Sequence, residues 1–319
     1  MEADKRKIAL IGTGMVGMSY AFALLNNSVC DELILIDIDK ERADGEAMDL
    51  NHGIAFASSR MRIRSGTYDD CHDADLAVIT AGANQLPGET RMDLLHKNAK
   101  IIRSIVGSIM KSGFDGLILI ASNPVDVMTM VARDASGLKK GKVFGSGTTL
   151  DTARLRYSLG EHFGIDPRNI HAYVMGEHGD SEFVPWSQAL VSTIPVTEMC
   201  KCTCSCDSDD LDDISEGVKD AAYVIIKAKK ATYYGIAMAL VRITKAIFGN
   251  EHSVLTLSAP LSGEYGEKDV CVGVPSVIGR DGIKSILELK LTQDELNKLH
   301  NSCEILRKSY CSLSAEATK

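Results

Sequence analysis

The chain has 319 residues, of which 45% are hydrophobic and 24% are charged, and its formal net charge is -8 at pH 7. This composition is typical of a globular protein of two domains that buries a large core and does not depend on disulfide bonds for stability. The excess of negative charge argues against nucleic acid or an anionic membrane surface as a partner. We therefore expect a small-molecule ligand.

Two features of the sequence bear on location and redox state. No stretch approaches the length of a membrane span, and the apolar run after the charged N-terminus is too short for a signal peptide. The nine cysteines are an odd number and mostly lie in core-like segments, which predicts reduced thiols in a cytoplasmic protein.

Four of the cysteines, Cys200, Cys202, Cys204 and Cys206, form a cluster in which every second residue is a thiol. Thiols with this spacing share one side only if the backbone is extended, whereas structural zinc sites usually fold C-x2-C pairs around the metal. Metal binding and an exposed surface turn both remain open for this cluster.

A glycine-rich turn follows the first apolar run and opens a helical pattern. Residues 7–17 read KIALIGTGMVG, and the next apolar run ends at Asp37. Gly12 permits a tight turn, Gly14 lets a pyrophosphate approach the helix N-terminus, and Gly17 lets helix and strand pack closely. Asp37 is placed to accept hydrogen bonds from a ribose and to repel a 2′-phosphate. This unit predicts a site for NAD rather than NADP.

Apolar runs and helical patterns continue to alternate along the first half of the chain. The predicted strands are 75–81, 117–122 and 142–146, and the predicted helices between them are 90–111 and 125–136. The fold class is therefore α/β, with a Rossmann-type doubly wound parallel sheet over residues 1–146. We expect a mixed α+β substrate domain over residues 147–319.

The second half carries a histidine in a glycine-rich loop. Its predicted elements are helices at 149–163, 210–229, 232–248 and 292–310, a short strand at 171–175 and turn-separated strands within 253–277. His178 lies in the loop Gly176–Ser181, where glycines allow a substrate to approach an imidazole that exchanges protons near neutral pH. Asp151 and Arg154 share one helix face. Structural roles for all three residues remain open on this pattern alone.

A polar segment, AGANQLPGETR at 81–91, follows the end of a predicted strand. It carries Gln85 and Arg91 among glycines and a proline. Such a segment is either a lid that closes over a bound cofactor or an ordinary surface loop.

Together these motifs resemble L-lactate dehydrogenases of the bacterial type, within the lactate/malate dehydrogenase superfamily. The resemblance covers nearly the whole chain. The motifs that carry it are IGTGMVG at 11–17, AGANQLPGETRMDL at 81–94, SNPVD at 122–126, GSGTTLDTARLRY at 145–157, GEHGDSEFVPWS at 176–187 and ATYYGIAMAL at 231–240.

The resemblance implies reversible, NADH-dependent reduction of pyruvate to L-lactate. By this resemblance His178 exchanges the proton with the carbonyl oxygen, and Asp151 pairs with the other ring nitrogen. Arg154 holds the substrate carboxylate, and Arg91, carried by the lid, polarises the carbonyl.

The remaining implied contacts concern specificity and the cofactor. Asn123 lies near the substrate carbonyl, Thr232 lies beside its methyl group, and no metal is expected at the site. Gln85 stands where malate relatives carry arginine, so a second substrate carboxylate would lack a partner there. The implied NAD contacts are Gly12, Gly14, Val16, Gly17, Asp37, Gly82, Ala83, Asn123 and Ser146.

The resemblance also implies a homotetramer with fructose 1,6-bisphosphate as a possible effector, bound through Arg156 and His171. Lys230 occupies a place often taken by glycine, which bears on local backbone geometry. Two alternatives stay open. One is a malate or broader 2-hydroxy-acid dehydrogenase, and the other is a non-catalytic NAD-binding protein that uses the cysteine cluster as a redox sensor.

Overall fold

The computed structural model describes residues 6–58, 60–83, 88–203 and 208–315. In the first half, the predicted strands and helices alternate. The elements are β1 (Lys7–Ile11), α1 (Met15–Asn27), β2 (Glu32–Ile36), α2 (Lys40–Gly53), β3 (Arg62–Ser65), β4 (Leu76–Ile79), α3 (Arg91–Lys111), β5 (Leu117–Ile120), α4 (Val125–Ser136) and β6 (Val143–Gly145). α2 and β3, which the sequence pattern did not predict, lie between the second and the third predicted strand. The strands pair in parallel in the order β3-β2-β1-β4-β5-β6, which confirms the Rossmann-type sheet.

The second half extends this sheet and adds a smaller one. Its elements are α5 (Thr149–Phe163), β7 (Ile170–His171), β8 (Leu190–Val191), β9 (Ile194–Pro195), α6 (Val196–Thr203), α7 (Ser208–Lys229), α8 (Tyr234–Phe248), β10 (Ser253–Ser262), β11 (Lys268–Gly279), β12 (Gly282–Ile286) and α9 (Gln293–Ala315). β10 pairs antiparallel with β6, and β11 and β12 follow it, so the sheet runs continuously past the predicted boundary at 146/147. β7, β8 and β9 form a separate antiparallel sheet.

The parallel strands are apolar because both of their faces are covered. All five residues of β1 are buried, and their side chains alternate between two core clusters. Ala9 and Ile11 pack on the side of α3 and α4, whereas Ile8 and Leu10 pack on the side of α1 and α8. A sheet held between two helix layers fixes the carboxyl ends of its strands as a rigid edge, which is where ligands bind in such folds.

The structure corrects the predicted strand at 171–175. Only Ile170 and His171 form a strand there, and the chain then leaves it to make single bridges. The backbone N–H of Met175 donates to the carbonyl of Phe183 at 2.9 Å, and that of Gly176 donates to the carbonyl of Gly273 at 3.0 Å. The first bridge closes the histidine loop on itself, and the second ties it to β11.

The cysteine cluster is only partly described. Cys200 lies on α6 and is buried against the core of the second half, so an exposed turn is wrong for this residue. The side chain of Cys202, and residues Cys204 and Cys206, lie outside the described part of the chain.

Two further observations concern the helices. Among the described helices, none combines the length and apolar character needed to cross a membrane.

Lys230, directly after α7, has a φ of 71°, in the left-handed region that favours glycine. The non-glycine residue therefore adopts the backbone geometry of the glycine that often stands there.

Candidate active site

The loop that carries His178 is held between β11, α4 and α9. Gly176 has a φ of 99°, and a Cβ there would lie 2.7 Å from the hydroxyl of Ser302 on α9, so the position requires glycine. On the other side, the backbone N–H of His178 donates to Oδ2 of Asp126 on α4 at 2.8 Å. The imidazole is therefore placed by the sheet and by two helices rather than by a free loop.

His178, Asp151 and Arg154 are brought together in one buried cluster. Nδ1 of His178 lies 2.6 Å from Oδ2 of Asp151, and Nη1 of Arg154 donates to Oδ1 of the same carboxylate at 2.8 Å. The Asp151 side chain is 2% exposed, that of Arg154 14% and that of His178 26%. Since Asp151 uses Nδ1, Nε2 is the ring nitrogen left to meet a substrate.

Charge and burial oppose each other in this cluster. Burial alone would lower the pKa of His178, but the carboxylate of Asp151 outweighs it and raises the pKa to about 9. Burial alone would raise the pKa of Asp151, but the His178 ring and the Arg154 guanidinium hold it below its usual range. The pair therefore favours a charged imidazolium beside a charged carboxylate, which is the form of a proton donor.

Two buried carboxyls beside His178 were not singled out from the sequence. Asp126 is 1% exposed, and burial raises its pKa to about 6. Glu182 is 5% exposed, and burial and the neighbouring Asp151 raise its pKa to about 8. Both lie inside recognised motifs, SNPVD and GEHGDSEF, but nothing in the sequence indicates that their side chains turn inward.

The glycine-rich turn has the geometry of a phosphate cradle. Gly12 has a φ of 104°, and a Cβ there would lie 2.6 Å from the backbone nitrogen of Ala81. A Cβ on Gly17 would lie 2.0 Å from the carbonyl oxygen of Gly12, so α1 packs directly on the turn. A Cβ on Gly14 would meet only open space, and Gly14 precedes the free N–H groups that begin α1. Val16, in the first turn of α1, is half-buried.

Asp37 lies at the end of β2 beside this turn. Its Oδ2 accepts hydrogen bonds from the backbone N–H of Thr13 at 2.6 Å and from the Thr13 hydroxyl at 2.9 Å. Burial would raise its pKa, but these hydrogen bonds and that from the Asp39 N–H lower it, so Asp37 is ionised. Ile38 is fully exposed, which leaves no arginine at this place to receive a 2′-phosphate.

Asn98 connects the start of the polar segment to the next strand end, and sequence reasoning missed it. Its Oδ1 accepts from the backbone N–H of Ala83 at 2.8 Å, and its Nδ2 donates to the carbonyl of Asn123 at 2.9 Å. Asn98 is buried, whereas Gly82 and Asn123 are exposed at this edge. A buried asparagine on α3, facing β4 and β5, could have suggested such a bridge.

Arg91 and Ser146 lie at the same edge of the sheet. The guanidinium of Arg91 contacts Oδ2 of Asp180 at 3.3 Å, and Tyr223 on α7 donates to the other oxygen of Asp180 at 3.1 Å. Arg91 is therefore linked to a residue two positions beyond His178.

Ser146 is buried after β6, and its N–H donates to the carbonyl of Ile120 at 2.8 Å. Gln85, which the sequence predicts to bear on the choice of substrate, lies outside the described residues.

The other predicted residues make their contacts outside the cluster of His178, Asp151 and Arg154. Thr232 is half-buried in the connection between α7 and α8. Arg156 donates from Nε to the carbonyl of Ala172 at 3.0 Å, and its guanidinium lies over the Tyr173 ring. His171 is exposed on β7, next to Ala172. Arg156 and His171, the two predicted effector residues, therefore lie in one small region.

Comparison with known proteins agrees with this architecture. Residues 6–145 match the model of the lactate/malate dehydrogenase NAD binding domain, and residues 148–316 match that of the lactate/malate dehydrogenase alpha/beta C-terminal domain. An L-lactate dehydrogenase of Priestia megaterium is 54% identical over 304 residues, which cover 95% of each chain. One of Geobacillus sp. (strain WCH70) is 53% identical over 301 residues, or 94% of each.

Solved structures are equally similar. A lactate dehydrogenase from a Medee basin deep-sea metagenome library has a TM-score of 0.96 and 53% identity, covering 97% of this chain and 99% of that one. The minor L-lactate dehydrogenase from Enterococcus mundtii, in its ligands-bound form, has a TM-score of 0.95 and 46% identity over the same shares. Two matching domains and relatives above half identity establish that this chain belongs to the lactate/malate dehydrogenase family.

Proposed function

We propose that the chain is an NAD-dependent L-lactate dehydrogenase that reduces pyruvate to L-lactate and catalyses the reverse reaction. The observation that carries this proposal is the cluster of His178, Asp151 and Arg154, in which an imidazolium and a guanidinium share one buried carboxylate. The names of the similar enzymes support it. A protein that only binds NAD requires none of these three side chains.

The residues of the first domain fit NAD. Gly12, Gly14, Val16 and Gly17 would hold the pyrophosphate and Asp37 the adenosine ribose, and Gly82, Ala83, Asn123 and Ser146 would line the way to the nicotinamide. The open space over Gly14 and the ionised Asp37 are the features of this chain that suit the dinucleotide. When bound, NAD supplies the hydride acceptor or donor of the reaction.

The charges of Arg154, His178 and Arg91 suggest how pyruvate would bind and react. Arg154 would bind the carboxylate of pyruvate with its free edge while Asp151 fixes the other edge. The Nε2–H of His178 would give its proton to the carbonyl oxygen, and in lactate oxidation the neutral ring would take it back. Arg91 would stabilise the negative charge that develops on this oxygen. Asn123 would help to hold the carbonyl, and Thr232 would lie at the methyl.

Gln85 supports pyruvate over oxaloacetate, since a neutral amide cannot pair with a second carboxylate. The decisive experiment follows NADH consumption with pyruvate, oxaloacetate and longer 2-oxo acids. Fastest turnover of pyruvate supports the proposal. Fastest turnover of oxaloacetate or a longer acid makes it a malate or broader 2-hydroxy-acid dehydrogenase, and no turnover favours the NAD-binding sensor.

We further propose a homotetramer. Apolar side chains point outward from the neighbouring helices α1 and α8, which are joined by a 2.7 Å hydrogen bond between Tyr20 and Thr244. Phe22 and Tyr234 are 60% and 67% exposed, as expected for a surface that a second copy covers. Sedimentation of the wild type and of Phe22→Asp tests this, since a charge at such an interface dissociates it.

Fructose 1,6-bisphosphate is the effector that we propose for the tetramer. Arg156 is partly buried, and its hydrogen bond to Ala172 keeps it beside the exposed His171. Cationic groups of this kind from two subunits would repel until a doubly phosphorylated sugar neutralised them. A rate at low pyruvate that rises with the bisphosphate in wild type, and not in Arg156→Gln, supports this. A flat response contradicts it.

The proposed location is the cytoplasm. The buried cysteines Cys30, Cys71, Cys271 and Cys303 are free thiols, which suits a reducing compartment.

A further inference from the structure

Glu182 is a buried acid that the proposed reaction does not use. It lies four residues beyond His178, where its backbone N–H donates to the carbonyl of Gly179 at 3.2 Å and turns the chain inward. Its carboxyl, that of Asp151 and the His178 ring offer atoms that all lie within 4.8 Å of one another. Within the described part of the chain, no side chain donates a hydrogen bond to this carboxyl.

Glu182 also lines a cavity of about 470 Å³, which we name the rear cavity. It lies between the histidine loop, α7 and α9. The charged groups that line it besides Glu182 are Asp180, Asp212, Glu216, Lys219 and Lys298. Glu182 thus stands between the catalytic pair and a polar cavity, whereas Asp151 is enclosed at 2% exposure.

We propose that Glu182 is a positioning residue that adjusts the charge of the His178–Asp151 pair and exchanges its own proton through the rear cavity. The inference rests on the proposed function, because it concerns the proton that His178 gives to pyruvate. Ionised Glu182 favours the imidazolium, and protonated Glu182 leaves the single carboxylate of Asp151 to do so.

Charge counting shows when this exchange matters. Above about pH 6, where Asp126 is also ionised, the carboxylates of Glu182, Asp151 and Asp126 outnumber the two cations His178 and Arg154. A substrate carboxylate on Arg154 adds one negative charge to a buried site, which is costly unless a proton is taken up. Glu182 is suited to take it, since burial and Asp151 already raise its pKa to about 8. The rear cavity offers a route for this proton while substrate covers the other side.

Charged groups surround Glu182 on every neighbouring element. Those that act on its charge are Asp151 and Arg154 on α5, His178 on its own loop and Lys219 on α7. Asp180, Asp212, Glu216 and Lys298 line the same cavity, and Asp126 on α4 acts on His178. The repulsion from Asp151 raises the pKa of Glu182, and His178, Arg154 and Lys219 oppose it.

The test compares wild type with Glu182→Gln, which keeps the shape and removes the charge. The readout is the pH at which kcat/KM for pyruvate falls on the alkaline side. We expect this pH to drop by about one unit in Glu182→Gln, because a carboxylate within 5 Å of an imidazole shifts its pKa by that order. Lys219→Met, a change at the cavity wall, should shift it in the same direction by less. Lys227→Met, farther along α7, is the matched control.

A second measurement separates this role from a structural one. The number of protons taken up when oxamate binds to the enzyme–NADH complex is obtained by calorimetry in buffers of different ionisation enthalpy at pH 9, where both Glu182 and part of His178 must gain protons in wild type and only His178 in the variant. Wild type should take up more protons than Glu182→Gln. Equal uptake and equal alkaline limits overturn the inference, and so does a loss of kcat/KM in Glu182→Gln that is the same at every pH. Failure of wild type to reduce pyruvate would instead overturn the proposed function.

Discussion

Asp126 and Asp151 hold His178 from two directions, and the surrounding protein shifts the pKa values of these two carboxyls in opposite directions. Asp126 accepts the backbone N–H of His178, and burial raises its pKa to about 6. Asp151 accepts the ring Nδ1–H, and its pKa stays below the usual range because two cations outweigh the effect of burial. One carboxyl fixes the loop, and the other fixes the charge of the ring.

The first prediction concerns the pH dependence of pyruvate reduction. The donor must be the imidazolium, whose pKa is raised to about 9, so kcat/KM should be level below that pH and fall above it. In Asp151→Asn the attraction is lost while burial remains, so the fall should move to lower pH. We also expect kcat/KM at pH 7 to drop by about 100-fold or more, from the misplaced and less basic ring.

Initial rates with NADH and pyruvate from pH 6 to pH 10 check this. Asp115→Asn is the control, since this exposed carboxyl pairs with Lys142 at the other end of β5. An unshifted alkaline limit in Asp151→Asn would show that Asp151 does not set the pKa of His178.

The second prediction concerns stability and Asp126. Its pKa is higher in the folded chain than in the unfolded chain, so its contribution to stability is greatest below about pH 4 and is lost as pH rises through about 6. A shift of this size corresponds to about 3 kcal/mol. Asp126→Asn keeps an oxygen that can accept the His178 N–H and does not ionise. Relative to wild type, its Tm should therefore rise between pH 4.5 and pH 7.

Thermal unfolding at several pH values, at one protein concentration, measures this difference. Asp166→Asn is the control, because hydrogen bonds from Arg168 lower the pKa of this exposed carboxyl to about 2, so its Tm difference should stay constant between pH 5 and pH 7. A Tm difference for Asp126→Asn that does not change with pH would contradict the assignment.

Many of the helices and strands can be predicted from the sequence because local hydrophobic patterns specify them. Helices α4 and α5 begin and end where the hydrophobic spacing places them, and β1 and β2 follow from apolar runs. α2 and β3 were missed, since α2 is largely polar and buries only Ala43, Ala47 and Leu50. The strand at 171–175 was wrong because an apolar run does not distinguish a ladder from single bridges.

The roles of the site residues were predicted from the family resemblance rather than from local patterns. Spacing places Asp151 and Arg154 on one helix face and glycines flank His178, but these patterns alone leave structural roles open. Asn98, Asp126 and Glu182 act through contacts with residues distant in the chain, and an acid or amide on a helix is ordinarily a solvated residue. Their roles depend on which way the side chain turns, which no local pattern specifies.

The third prediction concerns Arg91. Its ion pair with Asp180 joins side chains that are 78% and 70% exposed, so it should contribute little to stability. In the proposed reaction, however, its charge stabilises the developing oxyanion. Arg91→Gln should therefore leave the Tm within about 1 °C of wild type and lower kcat by about 100-fold to 1,000-fold. Circular-dichroism melting and saturation kinetics with pyruvate measure both, with the exposed Arg168→Gln as control. A fall in Tm with unchanged kcat would assign Arg91 to structure instead.

The last prediction concerns the choice between pyruvate and oxaloacetate. Oxaloacetate brings a second carboxylate, and a neutral Gln85 offers no charge to pair with it, at a cost of several kcal/mol once the site is closed. Gln85→Arg supplies that charge and leaves an unpaired guanidinium when pyruvate is bound. The ratio of kcat/KM for oxaloacetate to that for pyruvate should thus rise by at least about 100-fold. The same substitution at the exposed Gln293, which begins α9, should leave the ratio unchanged. An equal ratio in wild type and Gln85→Arg would mean that specificity is set elsewhere in the site.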